Sequence, residues 1–590
     1  MSPDDANAPP PVRMSFTSQY EAEREAAAQS RRRGARKQLS PREWLLLVAT
    51  SLALVLPVWM LGAMNWRQQA VVAGLCVWAF SMLLAPVRQR EFSWLEGLAI
   101  FLPAVLGCLV GWLVGWAFYQ FVPALAGLYV VGFAVALTFL KDRRAGVAAA
   151  LAPVWRYPAF WAGLAFLAYV LIQALNPAYE LVWTPRALTP WRMQPLPPEA
   201  VISWLPTGFH GEIRYVTPWR QLMVFGGAFL LGCAVWAGLR RRRALMPLLW
   251  VVVLNGTIIG LIAMVQRLTD AEQILWTFDS PNRNFLGTII YRNQGAAYLY
   301  LCMAVAAALG LYHLGESRRR GETSSPFPLL FFIAVVLAGS VAMSGSRGGT
   351  LFAAVAAVGI VVLLLAQIFS MGWRWALGMV GMVLALLGVA VAFTPFLGRG
   401  LEETIARFEQ LELDTSEEAL SRGSMEALGL RVTLYEATWR MFLDRKWTGW
   451  GAGGYPSFFQ DYVQFYPKLN NAQMVRRPQR YARLMPDQQR KYRLIHFHPH
   501  NNWLQALAEY GIIGTVLLTL APVSLVIAGL ARFPRVRIYN LIIWGGTACI
   551  LVHSLFDSIV NHTAILLHVC VLLTVNTALI EARPKPLADG

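Results

Sequence analysis

The stretch richest in chemistry is His496-Phe497-His498-Pro499-His500-Asn501-Asn502-Trp503-Leu504-Gln505. Alternating histidines invite a zinc reading, but no Cys, Asp or Glu stands nearby in sequence as a further ligand or base. Acid–base work suits the stretch better. From Asn501 the chain reads as a helix, with Pro499 before it and Gly511 ending it. In that register His500, Leu504 and Leu507 share one face at i, i+4 and i+7. An imidazole at a helix N-terminus meets the positive dipole end, which disfavours its cation and leaves it able to accept a proton.

Arginines supply the complementary chemistry. Residues 424–446 place Leu428, Val432, Tyr435, Trp439 and Phe442 at steps of four, three, four and three, the apolar stripe of an amphipathic helix. Arg431 sits beside that stripe, where its stem can lie on apolar surface and its guanidinium can meet an anion. The plainer alternative is an Arg snorkelling to lipid headgroups. Ser344-Gly345-Ser346-Arg347-Gly348-Gly349 interrupts two apolar runs, and a charged residue at such a junction has a partner or a task. Further polar clusters are Asp279 to Asn284, which contains Arg283, and Tyr291-Arg292-Asn293-Gln294. His553 and Asp557 close a later apolar run. A structural ion pair explains one such cluster; several on one face favour an active site.

Two motifs read as scaffolding or surface. Gly449-Trp450-Gly451-Ala452-Gly453-Gly454-Tyr455 has four glycines in six positions, which implies a tight turn with close backbone approach. It lacks the Lys and the strand-helix frame of a phosphate loop. The basic stretch from Arg476 to Arg493 suits a solvated or headgroup-binding face, or capture of an anionic lipid or glycan.

Composition says what must position these residues. Of 590 residues, 56% are hydrophobic and only 14% charged, and the mean hydropathy is +0.47. A soluble chain needs about a quarter of its residues charged. The net charge of +18 sits mostly in short clusters between apolar runs, which are topology signals and argue against nucleic acid. All six cysteines lie inside apolar runs without a C-x-x-C pair, so they read as small core residues.

Apolar runs long enough to span a bilayer recur at 43–64, 68–86, 94–118, 123–140, 158–175, 220–238, 246–266, 295–313, 328–344, 350–370, 374–396, 511–530, 538–556 and 563–581. The pattern predicts an all-α polytopic membrane protein of about fourteen transmembrane helices. Residues 1–42 read as a disordered, basic cytoplasmic tail rather than a cleaved signal, and 583–590 as a second cytoplasmic tail. Between them lie helices 1–11 over 43–396, with a loop at 176–219, and helices 12–14 over 511–582. With the tail inside, every short basic cluster falls on the cytoplasmic side. The loop 176–219 and a large loop at 397–510, predicted to hold amphipathic helices, then face the periplasm.

The combination resembles the O-antigen ligase and O-antigen polymerase superfamily of bacterial inner-membrane glycosyltransferases. The resembling elements are Ser344 to Gly349, Arg431 through Gly454, His500-Asn501 through Gly511 to Gly514, and His553-Ser554-Leu555-Phe556-Asp557. Tyr291 to Leu299 is similar to the family's Asn-rich helix start. The resemblance implies transfer of a glycan from an undecaprenyl diphosphate carrier to an acceptor hydroxyl, without cofactor or metal. The implied acceptor is lipid A–core in a ligase, another carrier-linked unit in a polymerase, or a protein hydroxyl in related oligosaccharyltransferases. By the family pattern His500 activates the acceptor while Arg347 and Arg431 hold the diphosphate. Arg283, Arg292, Asn293, Ser346, His498, Asn501 and Asp557 are the accompanying substrate-binding candidates.

These residue types suit that reaction. A lipid diphosphate already leaves readily, so the protein must mainly neutralise its growing charge, which guanidinium forks do bidentately. One neutral base takes the hydroxyl proton, and direct attack inverts the anomeric centre. The loop carries no carboxylate pair of the glycosidase kind. The rival class is a transporter of an anionic lipid-linked substrate, but the predicted helix interiors hold almost no ionisable residues for a relay. Excess EDTA should therefore leave transfer by purified protein nearly unchanged. A large loss restored by zinc would reinstate the histidine cluster as a metal site.

Overall fold

Ser40, Pro41 and Glu43 open the first helix as a capping box: the Ser40 side chain accepts from the Glu43 amide, and Glu43 reaches back to the Ser40 amide. The computed structural model of the protein describes residues 39–84, 151–183, 191–280, 284–321, 324–369, 424–463 and 498–582. The apolar runs predicted at 94–118, 123–140 and 374–396 lie outside the described residues, as do Arg283 and the basic stretch 476–493.

Each remaining run coincides with a helix. The first group is α1 (Pro41–Trp59), α2 (Trp66–Ser81), α3 (Phe160–Leu175), α4 (Pro218–Gly238) and α5 (Arg242–Leu268). The second is α6 (Arg292–Arg320), α7 (Phe327–Ala342) and α8 (Arg347–Phe369). The segment after them contributes α9 (Ser424–Asp444) and α10 (Tyr455–Val463), followed by α11 (Asn502–Leu530), α12 (Ile538–His553) and α13 (Thr563–Glu581). Among the described residues seven helices (α1, α4, α5, α6, α8, α11 and α13) are long and apolar enough to cross a membrane, and α3, α7 and α12 are shorter apolar helices. Helix α6 is the axis of the bundle, with 94% of its apolar window buried, and packs against α5, α7, α8 and α12.

Ion pairs mark one end of the bundle. Arg241 at the start of α5 pairs with Glu43, and Arg532 after α11 pairs with Glu581 at the end of α13. The arginines 318–320 end α6 there too. The start of α6, the start of α8 and the end of α12 therefore stand at the opposite end.

At that opposite end the all-helical expectation needs correcting. The loop after α3 forms a three-stranded sheet of β1 (Pro177–Trp183), β2 (Trp191–Pro195) and β3 (Gly208–His210), in the order β2-β1-β3. β1 pairs antiparallel with β2 and parallel with β3. The signal was a period of two: Tyr179 and Leu181 turn inward while Glu180 is exposed. Their inner face meets Phe209, Phe458, Phe459 and Tyr455 in a second core, separate from that of the bundle.

The face of α9 also differs from the expected stripe. Leu434, Ala437, Met441 and Phe442 are buried in this second core, whereas Val432 and Trp439 are exposed. Apolar residues occur all round α9, so spacing alone did not select a face; the aromatic side chains of α10 and β3 did.

The glycine turn is a clasp. The chain after α9 runs alongside α11, with Trp450 N–H donating to the Ala508 carbonyl (2.9 Å), Gly451 N–H to the Glu509 carbonyl (2.9 Å) and Ile512 N–H to the Lys446 carbonyl (2.8 Å). Helix α11 breaks where they cross, at Gly511 (φ 63°). Gly449 has φ 72°, and a Cβ there would lie 2.3 Å from the Glu509 oxygen. Gly449→Ala should thus destabilise by about 1–3 kcal/mol through strain and overpacking. In Gly339→Ala the new Cβ has nothing within 4 Å inside α7, so stability should rise by up to about 1 kcal/mol. Thermal unfolding in detergent checks the order; equal melting temperatures would show that the clasp is not fixed at Gly449.

Candidate active site

Four separate chain segments meet around one carboxylate. Asp557, 2% exposed, follows the end of α12 and points back into the bundle end. Its Oδ1 accepts from His500 Nδ1 at 2.9 Å and from the Ser558 amide at 2.7 Å. Its Oδ2 accepts from the Tyr291 hydroxyl at 3.3 Å and from Asn293 Nδ2, and lies 3.6 Å from Arg431 Nη2. Arg431 also donates to the Phe556 carbonyl at 3.1 Å.

His500 does not lie on the helix face expected of it. Asn501 is the N-cap of α11, its side chain accepting from the Leu504 amide, so the helix starts at Asn502. His500 precedes it with φ 58°, a left-handed conformation that costs a non-glycine residue energy. The surroundings enforce it. Tyr435, one turn beyond Arg431 on α9, donates its hydroxyl to the His500 carbonyl at 3.0 Å. The Asn502 amide donates to the Ser554 carbonyl (2.8 Å), and the Asn502 side chain accepts from the amides of Ile559 (2.7 Å) and Val560 (3.0 Å). Residues 498–502 are thereby fastened to the loop that carries Asp557.

Burial alone would raise the Asp557 carboxyl, but the hydrogen bond from His500, the Arg431 guanidinium and the Asn293 amide hold it well below the usual carboxylate range. It stays ionised and accepts from Nδ1–H of His500, which leaves Nε2 free of it. The His500 side chain is 35% exposed. The sequence placed no acidic residue near the histidines; the fold delivers one from 57 positions away.

The other candidates take distinct places. Arg347 is the first residue of α8, partly buried at the same end; the neighbouring Gly348 packs on His553, and Gly345 (φ 64°) lies near Arg292. The Ser346 hydroxyl, 1% exposed, accepts from the Gly349 amide at 3.1 Å and caps α8. Asn501 is likewise occupied in capping. His498 turns away from His500: its Nδ1 lies 3.1 Å from Gln505 Oε1 and 3.1 Å from Asn561 Nδ2. Among the described residues no three His, Cys, Asp or Glu side chains are grouped to hold a metal ion, and His496 lies outside them.

Tyr435, Gln505 and Asn561 were not marked as site residues by the sequence. Tyr435 carried one signal, its i+4 spacing from Arg431; Asn561 carried none.

The sign of the pH effect follows from Asp557. A carboxyl held low when folded contributes stability above its unfolded value of about 3.9, and loses it only as pH falls towards the folded value. Asp557→Asn should lower stability at pH 7 by about 1.5–3 kcal/mol, the scale of a hydrogen bond to a charged group. The gap in melting temperature between wild type and variant should stay level from pH 8 to about 5 and close only in stronger acid. A gap that closes above pH 5 would show that the carboxyl is not held low.

Comparison with known proteins bears on this geometry. Residues 331–519 match the family model described as O-antigen ligase. The match runs from within α7 into α11 and includes Arg347, Arg431 and His500, whereas Asp557, Tyr291 and Asn293 lie outside it. No curated protein matches the chain. Over that stretch, less than half of the chain, the protein is similar to the O-antigen ligase family.

Proposed function

We propose that this protein moves a glycan from an undecaprenyl diphosphate carrier to an acceptor hydroxyl at the periplasmic face of a bacterial inner membrane. The observation that carries the reading is the triple contact of Asp557 with His500, Arg431 and the Tyr291–Asn293 pair. A base oriented by a carboxylate stands there beside a guanidinium that keeps further donors for an anion. The orientation rests on the basic clusters at the far end of the bundle, which the positive-inside rule places in the cytoplasm.

The acceptor oxygen gives its proton to His500 Nε2 and its electron pair to the anomeric carbon. The bond from that carbon to the diphosphate oxygen breaks, and the oxygen leaves with the bonding pair. Arg347 and Arg431 take up the charge that develops on it. Asp557 stabilises the imidazolium that forms, as the orienting acid of a catalytic triad does. A single displacement inverts the anomeric centre.

His500→Ala should abolish transfer in folded, membrane-inserted protein, and activity above about a tenth of wild type would remove it as the base, since general-base catalysis supplies on the order of 10² to 10⁴. His498→Ala should be milder. Arg347→Lys and Arg431→Lys should each lose about 2–4 kcal/mol of transition-state stabilisation, because an ammonium cannot make the planar two-bond contact. The double variant should lose less than the sum. Near-normal turnover in both Lys variants would return these arginines to a headgroup role.

A further inference from the structure

At the end of the bundle away from His500 the acids are committed and several arginines are not. Among the described residues Glu43 pairs with Arg241, Glu316 with Arg320 (2.7 Å) and Glu581 with Arg532 (2.7 Å). Arg242, Arg319 and Arg537 have no such partner among the described residues, and Nε of Arg242 is buried without a hydrogen bond. As topology signals such arginines need only reach water. These three converge on a pair of tyrosines.

Tyr312, near the end of α6, and Tyr539, in the first turn of α12, meet edge to face with ring centroids 5.5 Å apart. The charges of Arg242, Arg537 and Arg319 act on the Tyr539 hydroxyl, and those of Arg242 and Arg320 on that of Tyr312. Glu316 is the one carboxylate that opposes them among the described residues. Neither hydroxyl is hydrogen-bonded to another described residue, although Tyr539 is buried. Helices α5, α7 and α12 all begin here, at Arg242, Phe327 and Ile538, so three positive dipole ends add to the guanidinium charge. The corner is rich in donors and short of acceptors.

It is also hollow. A cavity of about 450 Å³ is lined by Tyr312, His313, Glu316, Arg320, Ser324 and Ser325. Two of these are occupied: His313 Nε2 accepts from Trp250 Nε1 at 3.3 Å, and the Ser325 hydroxyl accepts from the Phe327 amide at 3.3 Å. Pro326 closes the lining where α7 begins, and within the next two turns Leu329 and Phe332 stand exposed on one face of that helix. A soluble anion would use the donors and gain nothing from the apolar face. An amphiphile uses both.

We infer that this corner binds an anionic glycerophospholipid, its phosphate oxygens accepting from Arg242, Arg537 and the two tyrosine hydroxyls, and a chain lying along Leu329 and Phe332. Guanidinium groups hold phosphate through charge-assisted, bidentate hydrogen bonds, and basic pockets between helices at a membrane surface suit such heads. The site lies at the opposite end of α6 from Asn293 and Asp557, so it stands apart from the transfer reaction proposed above. Bound there, the lipid ties together the ends of α5, α6 and α12.

The test uses full-length protein in detergent, with phosphatidylglycerol, the net-neutral phosphatidylcholine and inorganic phosphate as probes, read by native mass spectrometry and melting temperature. Wild type should retain phosphatidylglycerol in preference to phosphatidylcholine and melt higher with it, since a ligand of the folded state adds stability. Arg242→Gln and Arg537→Gln should each weaken its binding by about tenfold, the worth of a hydrogen bond to a charged group. Tyr539→Phe keeps the ring, removes one donor and should weaken binding by about fivefold. Arg535→Gln takes an exposed charge from the same end but outside the corner, and should bind as wild type does. Inorganic phosphate should not displace the lipid. Equal weakening in Arg535→Gln and Arg242→Gln would reduce the effect to net charge and overturn the site. Displacement by inorganic phosphate would make it a site for a soluble anion and overturn the lipid assignment, as would equal retention of the two lipids. Melting curves without lipid identify a variant that fails to fold; if Arg242→Gln does, Arg537→Gln and Tyr539→Phe carry the test. Unchanged binding in the variants that fold overturns the inference.

Discussion

A single buried carboxylate organises the working end of this molecule. Asp557 is almost fully buried, so its charge must be met chiefly by protein donors. The donors come from the segment before α11, from α9, from the start of α6 and from its own backbone. None of these elements is adjacent to another in the chain. Satisfying one anion therefore fixes where four segments stand relative to each other, and sets which ring nitrogen of His500 is free. A neutral or apolar side chain at this position would leave Arg431 and the imidazole without a common anchor.

The rest of the soluble layer keeps that arrangement from drifting. Helix α9 carries Arg431 and Tyr435, and its position depends on the second core formed with α10 and the small sheet. Its end is tied to α11 by the glycine clasp, where only a residue without Cβ allows the two backbones so close. Arg445 extends the tie to the sheet, donating to Thr207 and Tyr179 and stacking over Trp450. The left-handed conformation of His500 is held by contacts on both sides rather than by its own preference.

Charge is distributed to match. The bundle end away from His500 holds arginine clusters with their acids already paired, as a topology signal requires. At the His500 end Arg431 approaches Asp557, while Arg220 is held by neutral acceptors on Gln69, Arg214 and Met64.

Much of this was legible in the chain. Long apolar runs and basic punctuation determined membrane helices, because hydrocarbon demands intrahelical hydrogen bonding over some twenty residues. Residue type together with the family pattern made His500, Arg347 and Arg431 candidates. The glycine pattern announced a close backbone crossing before its partner was known. The sheet was missed because three short strands between Pro and Trp carry a weak period. The buried face of α9 was missed because apolar residues circle it and only its neighbours choose a side. What the tertiary structure alone decided is who meets whom. Asp557 reaches His500 across 57 residues, Tyr435 clamps it from α9, and Arg220 meets Gln69 and the Met64 carbonyl across more than 150. Those relations arise from satisfying buried charge and dipoles between distant segments, a constraint that local spacing does not encode.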